Sequence, residues 1–282
     1  MRMTTRLRAI MRGKDLPYGA AAYDGLTSKL VSEAGFDFIL AAGGQIAASF
    51  GLPDAELYSM TENLQATRRI VASGSIPVIA DCDTGYGNAI NLMRTVREFE
   101  QIGVAGLLLE DQVVPKRCPA MADPEIISIE EGVGKIRAAV AARVDPDLVI
   151  IARSDATDVV EACSRLKAYA AAGADMVFTI NRCAKSYDDL RHIREVAGVP
   201  MLIHLMGWVE QLSEAERRSV AGCAFFGFPT VLTVAQAMRL NLATMHRTKS
   251  TAQLPVPTMT LHDFEKFIGF PQIAELQREY IP

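Results

Sequence analysis

The sequence has few cysteines, no long hydrophobic run and no excess of positive charge. Its five cysteines are odd in number and irregularly spaced, which argues against a disulfide framework and predicts a reducing, cytoplasmic location. No apolar run reaches the ~20 residues that a membrane-spanning helix needs. The net charge of −4 and the pI near 5.7 predict no surface for nucleic acid or for an anionic membrane.

The first residues, MRMTTRLRAIMRGKDLP, are positively charged but lack the apolar segment and the cleavage site of a secretory signal. Low-complexity segments and linkers rich in glycine or proline are absent as well. Of the 282 residues, 50% are hydrophobic and 22% are charged, as is ordinary for a soluble globular protein with a sizeable core. This length is compatible with one large domain or with two small ones, since barrels of ~250 residues commonly form one domain.

Eight short apolar runs predict eight buried β-strands. They lie at Tyr18–Ala22, Phe36–Ala41, Pro77–Ala80, Gly106–Leu109, Leu148–Ala152, Met176–Ile180, Met201–Leu205 and Cys223–Phe226. The runs show no polar alternation, which is typical of strands that are buried on both faces. Between most of them lie roughly 10–15 residues with helical periodicity. This order favours an α/β fold of the (β/α)8 barrel type, with a doubly wound open sheet as the alternative.

The C-terminal part of the chain departs from this pattern. A connector that contains prolines, TKSTAQLPVPTM, is followed by two short predicted helices around His262–Phe267 and Gln272–Tyr280. We therefore expect a catalytic barrel over residues 1–245 and a helical extension over residues 246–282. An extension of this kind is suited to packing on a partner subunit.

Charged residues follow three of the predicted strands, at the end where a (β/α)8 barrel carries its active site. They are Asp81 and Asp83, then Glu110 and Asp111, then Arg153 and Asp155. Carboxylates this close would repel one another, and a divalent cation relieves the repulsion. Oxygen ligands with little nitrogen or sulfur predict Mg²⁺, with Mn²⁺ as the alternative. For Asp111 and Asp155, a role as a helix or turn cap is equally consistent with the pattern.

Arg153 and the loop after the fourth strand supply further candidates. Arg153 is suited to binding a substrate carboxylate through two hydrogen bonds, or to forming a structural ion pair with one of the acids. The loop of residues 112–126 is long and polar, which is typical of a mobile lid. Within it, Lys116 and Arg117 precede Cys118, and their charges favour a thiolate that transfers a proton when the lid closes. The alternative is that a single loop cysteine is incidental.

Five blocks, in order, resemble the signature blocks of the isocitrate lyase/phosphoenolpyruvate mutase superfamily. They are AYDGLTSKLVSEAGF, GLPDAEL, DCDTGYGNAINLMRTVREFE, LLLEDQVVPKRC and IIARSDA. The resemblance implies a (β/α)8 barrel whose C-terminal helices are swapped between subunits, in a homotetramer built as a dimer of dimers. It implies Mg²⁺ held directly by Asp81, with Asp54, Asp83 and Glu110 acting mostly through water. It also implies catalysis through an enolate or oxyanion of a small 2-oxo acid.

The lid resembles that of the superfamily's carbon–carbon lyases, where Lys-Lys-Cys-Gly-His or Lys-Arg-Cys-Gly-His is usual and the cysteine protonates the carbanionic product. Phosphoenolpyruvate mutases and phosphonopyruvate hydrolases carry Asn in that loop, so the sequence is less similar to them. The candidate catalytic residues are therefore Cys118, Arg153 and Lys116. The candidate substrate-binding residues are Ala42, Gly43, Gly44, Asp81, Arg153 and His204.

The chain departs from the superfamily pattern on the substrate side. Pro119 and Ala120 stand where the lyases carry Gly-His, and residues 41–45 lack the usual substrate-binding serine. Ile180 stands where many lyases place a Glu, and His204 stands at about the place of an Asn. A tricarboxylate would lose several polar partners here, each worth ~1–3 kcal/mol when buried and unpaired. We therefore expect a smaller or more apolar substrate.

The leading prediction is a Mg²⁺-dependent carbon–carbon lyase. It would cleave a small 2-hydroxy di- or tricarboxylate to a 2-oxo acid and a second carboxylate. One alternative is oxaloacetate decarboxylase, because EEGVGKIRAAVAARVDP resembles that branch. The others are a phosphonate P–C bond mutase or hydrolase, including carboxyphosphonoenolpyruvate mutase, and a barrel that has lost catalysis. The pattern assigns no general base.

Overall fold

Eight parallel strands close into a barrel in the structure, a computed structural model that describes residues 1–118 and 123–281. Each strand pairs with the next, and the last pairs with the first. The strands are β1 Tyr18–Ala22, β2 Phe38–Ala41, β3 Val78–Asp81, β4 Gly106–Glu110, β5 Val149–Ser154, β6 Met176–Thr179, β7 Met201–His204 and β8 Ala221–Phe226. The predicted (β/α)8 barrel is confirmed, and the open-sheet alternative is wrong.

Helices alternate with the strands along the chain, and further helices follow the last strand. They are α1 Met3–Met11, α2 Gly25–Glu33, α3 Gly43–Ser49, α4 Met60–Ser73, α5 Ala89–Gln101, α6 Ile129–Ala142, α7 Val159–Ala171, α8 Tyr187–Ala197, α9 Glu214–Val220, α10 Pro229–Thr248, α11 Leu261–Ile268 and α12 Phe270–Tyr280. Many of them begin at a Ser, Thr, Asp or Asn whose side chain accepts a hydrogen bond from the first turn. Ser128 caps α6 in this way, as predicted.

The direction of side chains along each strand determines which residues reach the active face of the barrel. Alternate residues of a strand point to the same side, so inward positions recur every second residue. Strand residues whose side chains fill the interior include Phe38, Leu40, Ile79, Leu108, Val149, Ile151, Met176, Phe178, Leu202, Cys223 and Phe225. Continuing each series by two residues leads to Ala42, Asp81, Glu110, Arg153, Ile180, His204 and Gly227. The carboxyl ends of the strands thus direct this set toward one face of the barrel.

The chain forms two compact units, Met1–Val231 and Leu232–Pro282. The second unit contains most of α10 together with α11 and α12, which lie where the sequence predicts two short helices. Within it, the Asn241 side chain exchanges two hydrogen bonds of 3.0 Å with the backbone of Val256. Neither α11 nor α12 has a buried residue. The predicted exchange of these helices between subunits stays a prediction.

Among the described residues, none of the helices combines the length and the apolar character that crossing a bilayer requires.

Candidate active site at the carboxyl ends of the strands

Four carboxylates predicted to surround a metal lie together at this face. Asp81 ends β3, Asp83 follows it, Glu110 ends β4, and Asp54 comes from the loop after α3. Asp83 is fully buried, and Asp81 and Glu110 are 8% and 4% exposed. The backbone joins two of these positions, since the Glu110 N–H donates to the Asp83 carbonyl at 3.0 Å.

Backbone amides and two tyrosines hold Asp81 and Asp83 in place. Asp81 accepts hydrogen bonds of 3.2 Å from the backbone N–H groups of Gly43 and Asp83. Asp83 accepts from the hydroxyl groups of Tyr58, at 2.6 Å, and Tyr86, at 3.1 Å. Asp83 and Tyr86 adopt left-handed φ angles of +49° and +61°, which aspartate tolerates better than most residues. These donors fix the direction of both carboxylates.

Lys116 reaches the acids from the predicted lid. Its buried ammonium lies 2.8 Å from Asp54 Oδ1 and also contacts Asp83 Oδ1. Its backbone N–H donates to Glu56 at 2.8 Å, and Glu56 in turn accepts from Thr84 Oγ1 at 2.7 Å. Burial opposes the charged ammonium, but Asp83 and the other acids outweigh that effect and raise the pKa of Lys116. The first part of the lid is therefore tied to the acid cluster.

Arg153 lies between two carboxylates at the end of β5. Its Nη1 is 2.7 Å from Glu110 Oε2, and its Nε and Nη2 donate to the two oxygens of Asp155 at 2.6 and 2.9 Å. Asp155 also accepts from the side-chain amide of Gln112. Arg153 therefore forms ion pairs with two acids at the strand ends, and its guanidinium also borders the cavity described below.

Negative charge exceeds positive charge at this face. Five carboxylates, of Asp54, Asp81, Asp83, Glu110 and Asp155, face the two cations Lys116 and Arg153. Burial, reinforced by Asp83, raises the pKa of Asp81 to about 6, and burial raises that of Glu110 as well. Glu110 Oε1 is buried and has no hydrogen-bond partner in the described part of the chain. A divalent cation would offset this excess charge.

The carboxylates do not form a closed metal cage. Within residues 1–118 and 123–281, no group of three or more His, Cys, Asp or Glu side chains is arranged to hold a metal ion. Mg²⁺ does not need such a cage, because it keeps several waters and takes only one or two carboxylates directly. The excess of charge and the unpaired Glu110 oxygen therefore fit Mg²⁺ bound largely through water.

Asp111 lies behind the site rather than in it. Its buried carboxylate accepts hydrogen bonds from Ser154 Oγ, Tyr169 Oη, Arg165 Nη1 and the Asp155 N–H, at 2.8–3.2 Å. These partners join the ends of β4 and β5 to α7. The alternative structural interpretation thus fits Asp111, whereas Asp155 orients Arg153.

A cavity of about 170 Å³ adjoins the acids. One part of its lining, the charged side, consists of Asp54, Asp81 and Arg153 together with Ala42 and Gly44. The lining also includes Phe178, Ile180, His204, Met206, Phe225 and Phe228. Cys118 also borders the cavity and is partly exposed. Of the predicted substrate-binding residues, Gly43 alone is not in the lining, and it acts through its hydrogen bond to Asp81.

The predicted lid is paired at its two ends. Gln112 and Ile126 form an isolated antiparallel bridge, and Asp123 lies 2.7 Å from Arg182, in the loop after β6. Arg117 pairs with Glu125 at 2.8 Å, so its charge and that of Lys116 are directed at carboxylates. Pro119 and Ala120, where the sequence departs from the lyase pattern, lie outside the described residues.

Sequence reasoning missed the residues that support the acids from loops. Glu56 and Tyr58 lie between α3 and α4, where no periodicity predicts the course of the chain. For Tyr86, the flanking glycines of Gly85-Tyr86-Gly87 were a signal of an unusual backbone, and all three residues have positive φ angles. Asn181 and Arg182, which border the cavity, carried no signal.

Gly43 and Gly44, which open α3, allow the backbone to approach the acids. A Cβ atom on Gly43 would lie 2.8 Å from both Asp83 Oδ1 and Tyr58 Oη, and one on Gly44 would lie 2.9 Å from Asp54 Oδ2. Contacts this short require the carboxylates to move. Glycine is therefore needed here for space.

We expect Gly43→Ala to weaken Mn²⁺ binding about tenfold and to cost about 1–3 kcal/mol of the free energy of unfolding, because the added methyl displaces Asp83. Electron paramagnetic resonance titration and urea denaturation measure the two effects. Gly134→Ala, in α6 with nothing within 4 Å of the added Cβ, is the matched control and should leave Mn²⁺ affinity unchanged. Equal affinity in the two variants would contradict the close-approach argument.

Comparisons with known proteins agree with this geometry. The sequence profile named phosphoenolpyruvate phosphomutase matches residues 7–252. The 2,3-dimethylmalate lyase of Eubacterium barkeri is 38% identical over 288 residues, which cover 99% of each chain. An oxaloacetate decarboxylase of Rhodopseudomonas palustris (strain HaA2) is 37% identical over 228 residues, 77% of this chain and 78% of the relative. A solved phosphonopyruvate hydrolase, in complex with oxalate and Mg²⁺, superposes with a TM-score of 0.90 at 31% identity and covers 100% of both chains. The resemblance seen in the sequence is confirmed, and the chain belongs to the phosphoenolpyruvate mutase family of the isocitrate lyase/phosphoenolpyruvate mutase superfamily.

Proposed function

We propose that the protein is a Mg²⁺-dependent carbon–carbon lyase that splits a small 2-hydroxy di- or tricarboxylate into a 2-oxo acid and a second carboxylate. The observation that carries the proposal is that Cys118 borders the same cavity as Asp81 and Arg153. A thiol there provides a proton donor for a carbanion, which a carbon–carbon lyase needs. The 38% identity to a 2,3-dimethylmalate lyase over nearly the whole chain supports this choice.

The metal site of the proposal consists of four acids. Asp81 would hold Mg²⁺ directly, and Asp54, Asp83 and Glu110 would act mostly through water; Mn²⁺ is an alternative ion. When bound, the ion supplies positive charge that stabilises the oxygen of a 2-oxo acid as negative charge develops on it. Lys116 balances part of the charge of Asp54 and Asp83 and holds the beginning of the lid near them.

Arg153 is the proposed group for the substrate carboxylate next to the reacting carbon. Glu110 and Asp155 fix its guanidinium on two sides, so little reorganisation is needed when a substrate binds. Its permanent charge would also stabilise an enolate. Ala42 and Gly44 leave room for the substrate beside these charges, and His204 borders the same cavity.

Cys118 is the proposed general acid. A base removes the hydroxyl proton, the bond between C2 and C3 breaks, and its electron pair passes to C3. The Cys118 thiol then donates a proton to C3, which completes the second carboxylate product. Lid closure would bring the thiol to the substrate and exclude water from the carbanion.

Replacement of Cys118 by Ser should lower the kcat of cleavage by ~10²–10⁴-fold, because a hydroxyl is a much weaker acid than a thiol. The KM should change little, since the thiol is not needed to bind the substrate. Release of pyruvate, followed with lactate dehydrogenase, measures both constants. Full activity of Cys118→Ser on the true substrate would contradict the assigned role.

Oxaloacetate decarboxylation is the second candidate, and the 37% identity to a decarboxylase favours it. The same charged side would stabilise the enolate of pyruvate, but Cys118 would not be needed. Proton NMR can follow the turnover of each compound in the presence of Mg²⁺, with EDTA as the control. The compounds that distinguish the candidate functions are 2,3-dimethylmalate, 2-methylisocitrate, citramalate, oxaloacetate and phosphonopyruvate. Turnover of oxaloacetate alone, undiminished in Cys118→Ser, would replace the lyase proposal. Turnover of phosphonopyruvate would indicate P–C chemistry, and the absence of both turnover and Mg²⁺ binding would indicate a barrel without catalysis.

The proposal also covers the oligomeric state of the protein and its location in the cell. A cytoplasmic homotetramer with exchanged C-terminal helices is what the superfamily resemblance implies. Exposed apolar residues on α11 and α12, among them Phe264, Phe270, Ile273 and Leu276, support packing against a partner subunit. Analytical ultracentrifugation tests the tetramer.

A further inference from the structure

The ring of strand ends is divided into two chemically different sides. Charged side chains come from three consecutive strands, β3, β4 and β5. The next three strands, β6, β7 and β8, present a surface that we call the apolar wall, defined by Phe178, Ile180, His204, Met206, Phe225 and Phe228. Both sides border the same cavity of about 170 Å³. A bound molecule must therefore be charged at one end and largely apolar at the other.

His204 contributes an aromatic surface to the wall rather than a charge. Its ring stacks on Phe225, with centroids 4.7 Å apart and planes 7° apart, and lies 5.6 Å from the ring of Phe228. A Cβ atom on Gly227 would overlap the imidazole, so glycine is required beneath it. Burial, together with the nearby Arg153, lowers the pKa of His204 to about 4, and the ring is neutral at neutral pH.

The buried cations beside the cavity are paired with carboxylates, although Arg153 lies next to the wall, 5.7 Å from the centre of the Phe178 ring. Arg153 and Lys116 are committed to carboxylates on the charged side. Arg182 borders the cavity, but it is exposed and pairs with Asp123 of the lid. A carboxylate that entered the wall would thus lose its hydration, and the buried cations beside the cavity in the described part of the chain already have carboxylate partners. An alkyl group would instead gain from burial.

We propose that the apolar wall, centred on Ile180, selects 2-hydroxy dicarboxylates whose C3 carries a small alkyl group, and rejects those whose C3 carries a carboxymethyl group. This inference rests on the proposed lyase function. The C1 carboxylate and the C2 oxygen lie on the charged side, and the alkyl group faces Ile180. The carboxylate of C3 lies toward the rim, where Asn181 and Arg182 border the cavity.

Four substrates that differ only at C3 test the selection. Citramalate carries hydrogen there, 2,3-dimethylmalate carries methyl, 3-ethyl-2-methylmalate carries ethyl, and 2-methylisocitrate carries carboxymethyl. All four release pyruvate on cleavage, so one coupled assay compares them. We expect kcat/KM for the methyl or ethyl compound to exceed that for citramalate by about tenfold and that for 2-methylisocitrate by at least ~100-fold. Equal or faster cleavage of 2-methylisocitrate would overturn the inference.

Substitutions in the wall provide the second test. Ile180→Lys adds a cation and should shift the ratio of the two kcat/KM values toward 2-methylisocitrate by at least ~100-fold. Ile180→Val is the matched control and should keep the order of the four substrates. If Ile180→Lys does not fold, Met206→Lys serves instead, because Met206 borders the cavity and is 41% exposed. An unchanged ratio in a folded lysine variant would contradict the role of the wall.

A binding experiment separates failure of this inference from failure of the proposed function. If none of the four compounds is cleaved, the lyase proposal is wrong, and the wall is then tested with butyrate and succinate alone. Saturation-transfer NMR, with Mg²⁺ and oxalate present, compares their binding to the protein. Butyrate should bind at least ~10-fold more tightly, since only its alkyl end suits the wall. Succinate binding as tightly as butyrate would overturn the inference.

Discussion

Replacement of Asp81 by Asn will reduce metal-dependent turnover by at least ~10³-fold while leaving the fold intact. Asn keeps the shape of the side chain and an acceptor oxygen, but it lacks the charge that would hold Mg²⁺. Two backbone N–H groups, of Gly43 and Asp83, point at the Asp81 carboxylate, so an Asn oxygen retains at least one hydrogen bond. Activity assays measure the loss of turnover, and Mn²⁺ titration by electron paramagnetic resonance measures the loss of metal binding.

The same substitution should stabilise the metal-free protein. The pKa of Asp81 is raised to about 6 by burial and by Asp83, so the folded state binds its proton more tightly than the unfolded state does. Such a group costs stability as the pH rises from its unfolded pKa near 4 to its folded pKa near 6. With EDTA present, Asp81→Asn should gain about 1–3 kcal/mol in the free energy of unfolding at pH 7, and nothing below pH 4.

Asp111→Asn is the matched control for Asp81→Asn. Asp111 is as deeply buried, but it pairs with Arg165 and accepts from Ser154 and Tyr169 outside the cavity. Its replacement should leave Mn²⁺ affinity unchanged. Wild-type Mn²⁺ affinity in Asp81→Asn, or a loss of affinity confined to Asp111→Asn, would refute the assignment of the metal site.

The second large effect is expected from Arg153→Met, which should cost about 3–5 kcal/mol of the free energy of unfolding. Met has a similar length, but it leaves the carboxylates of Glu110 and Asp155 buried without their cation. Adding Asp155→Asn should recover part of this loss, because one of the two unpaired charges is then removed. Urea denaturation at pH 7 measures the free energy of unfolding of the wild-type protein, of Arg153→Met and of the double variant.

Arg94→Met is the comparison for Arg153→Met. Arg94 forms an exposed ion pair with Glu98 on α5, and its side chain is 70% exposed. Loss of an exposed pair of this kind should cost under ~1 kcal/mol. If Arg153→Met cost no more than Arg94→Met, the two flanking carboxylates would not depend on Arg153 for their burial.

The strands and the acidic residues at their ends could be predicted because both follow from local pattern. Strands buried on two faces are continuous apolar runs, and all eight predicted strands agree with the structure to within two residues at each end. The barrel then requires the ends of neighbouring strands to meet at one face. That rule alone brings Asp81, Glu110 and Arg153 together, although they lie far apart in the sequence.

Contacts made by loops could not be predicted in this way. In the sequence Lys116 stands beside Cys118, but in the structure its ammonium contacts Asp54, which lies about sixty residues earlier. That contact depends on the path of two loops and on the left-handed backbone of Glu56, with a φ of +53°. The apolar wall was hidden for a different reason, because Phe178 and Phe225 have the same pattern as residues of the barrel core.

The order of the strands around the ring has an evolutionary consequence. The charged side is encoded by residues 42–155 and the apolar wall by residues 178–228, and the two stretches do not overlap. Recombination within the second stretch alone can therefore exchange selectivity between family members while the catalytic half is inherited intact. We expect chimaeras joined between β5 and β6 to keep the metal-dependent chemistry of the first parent and to take the substrate preference of the second.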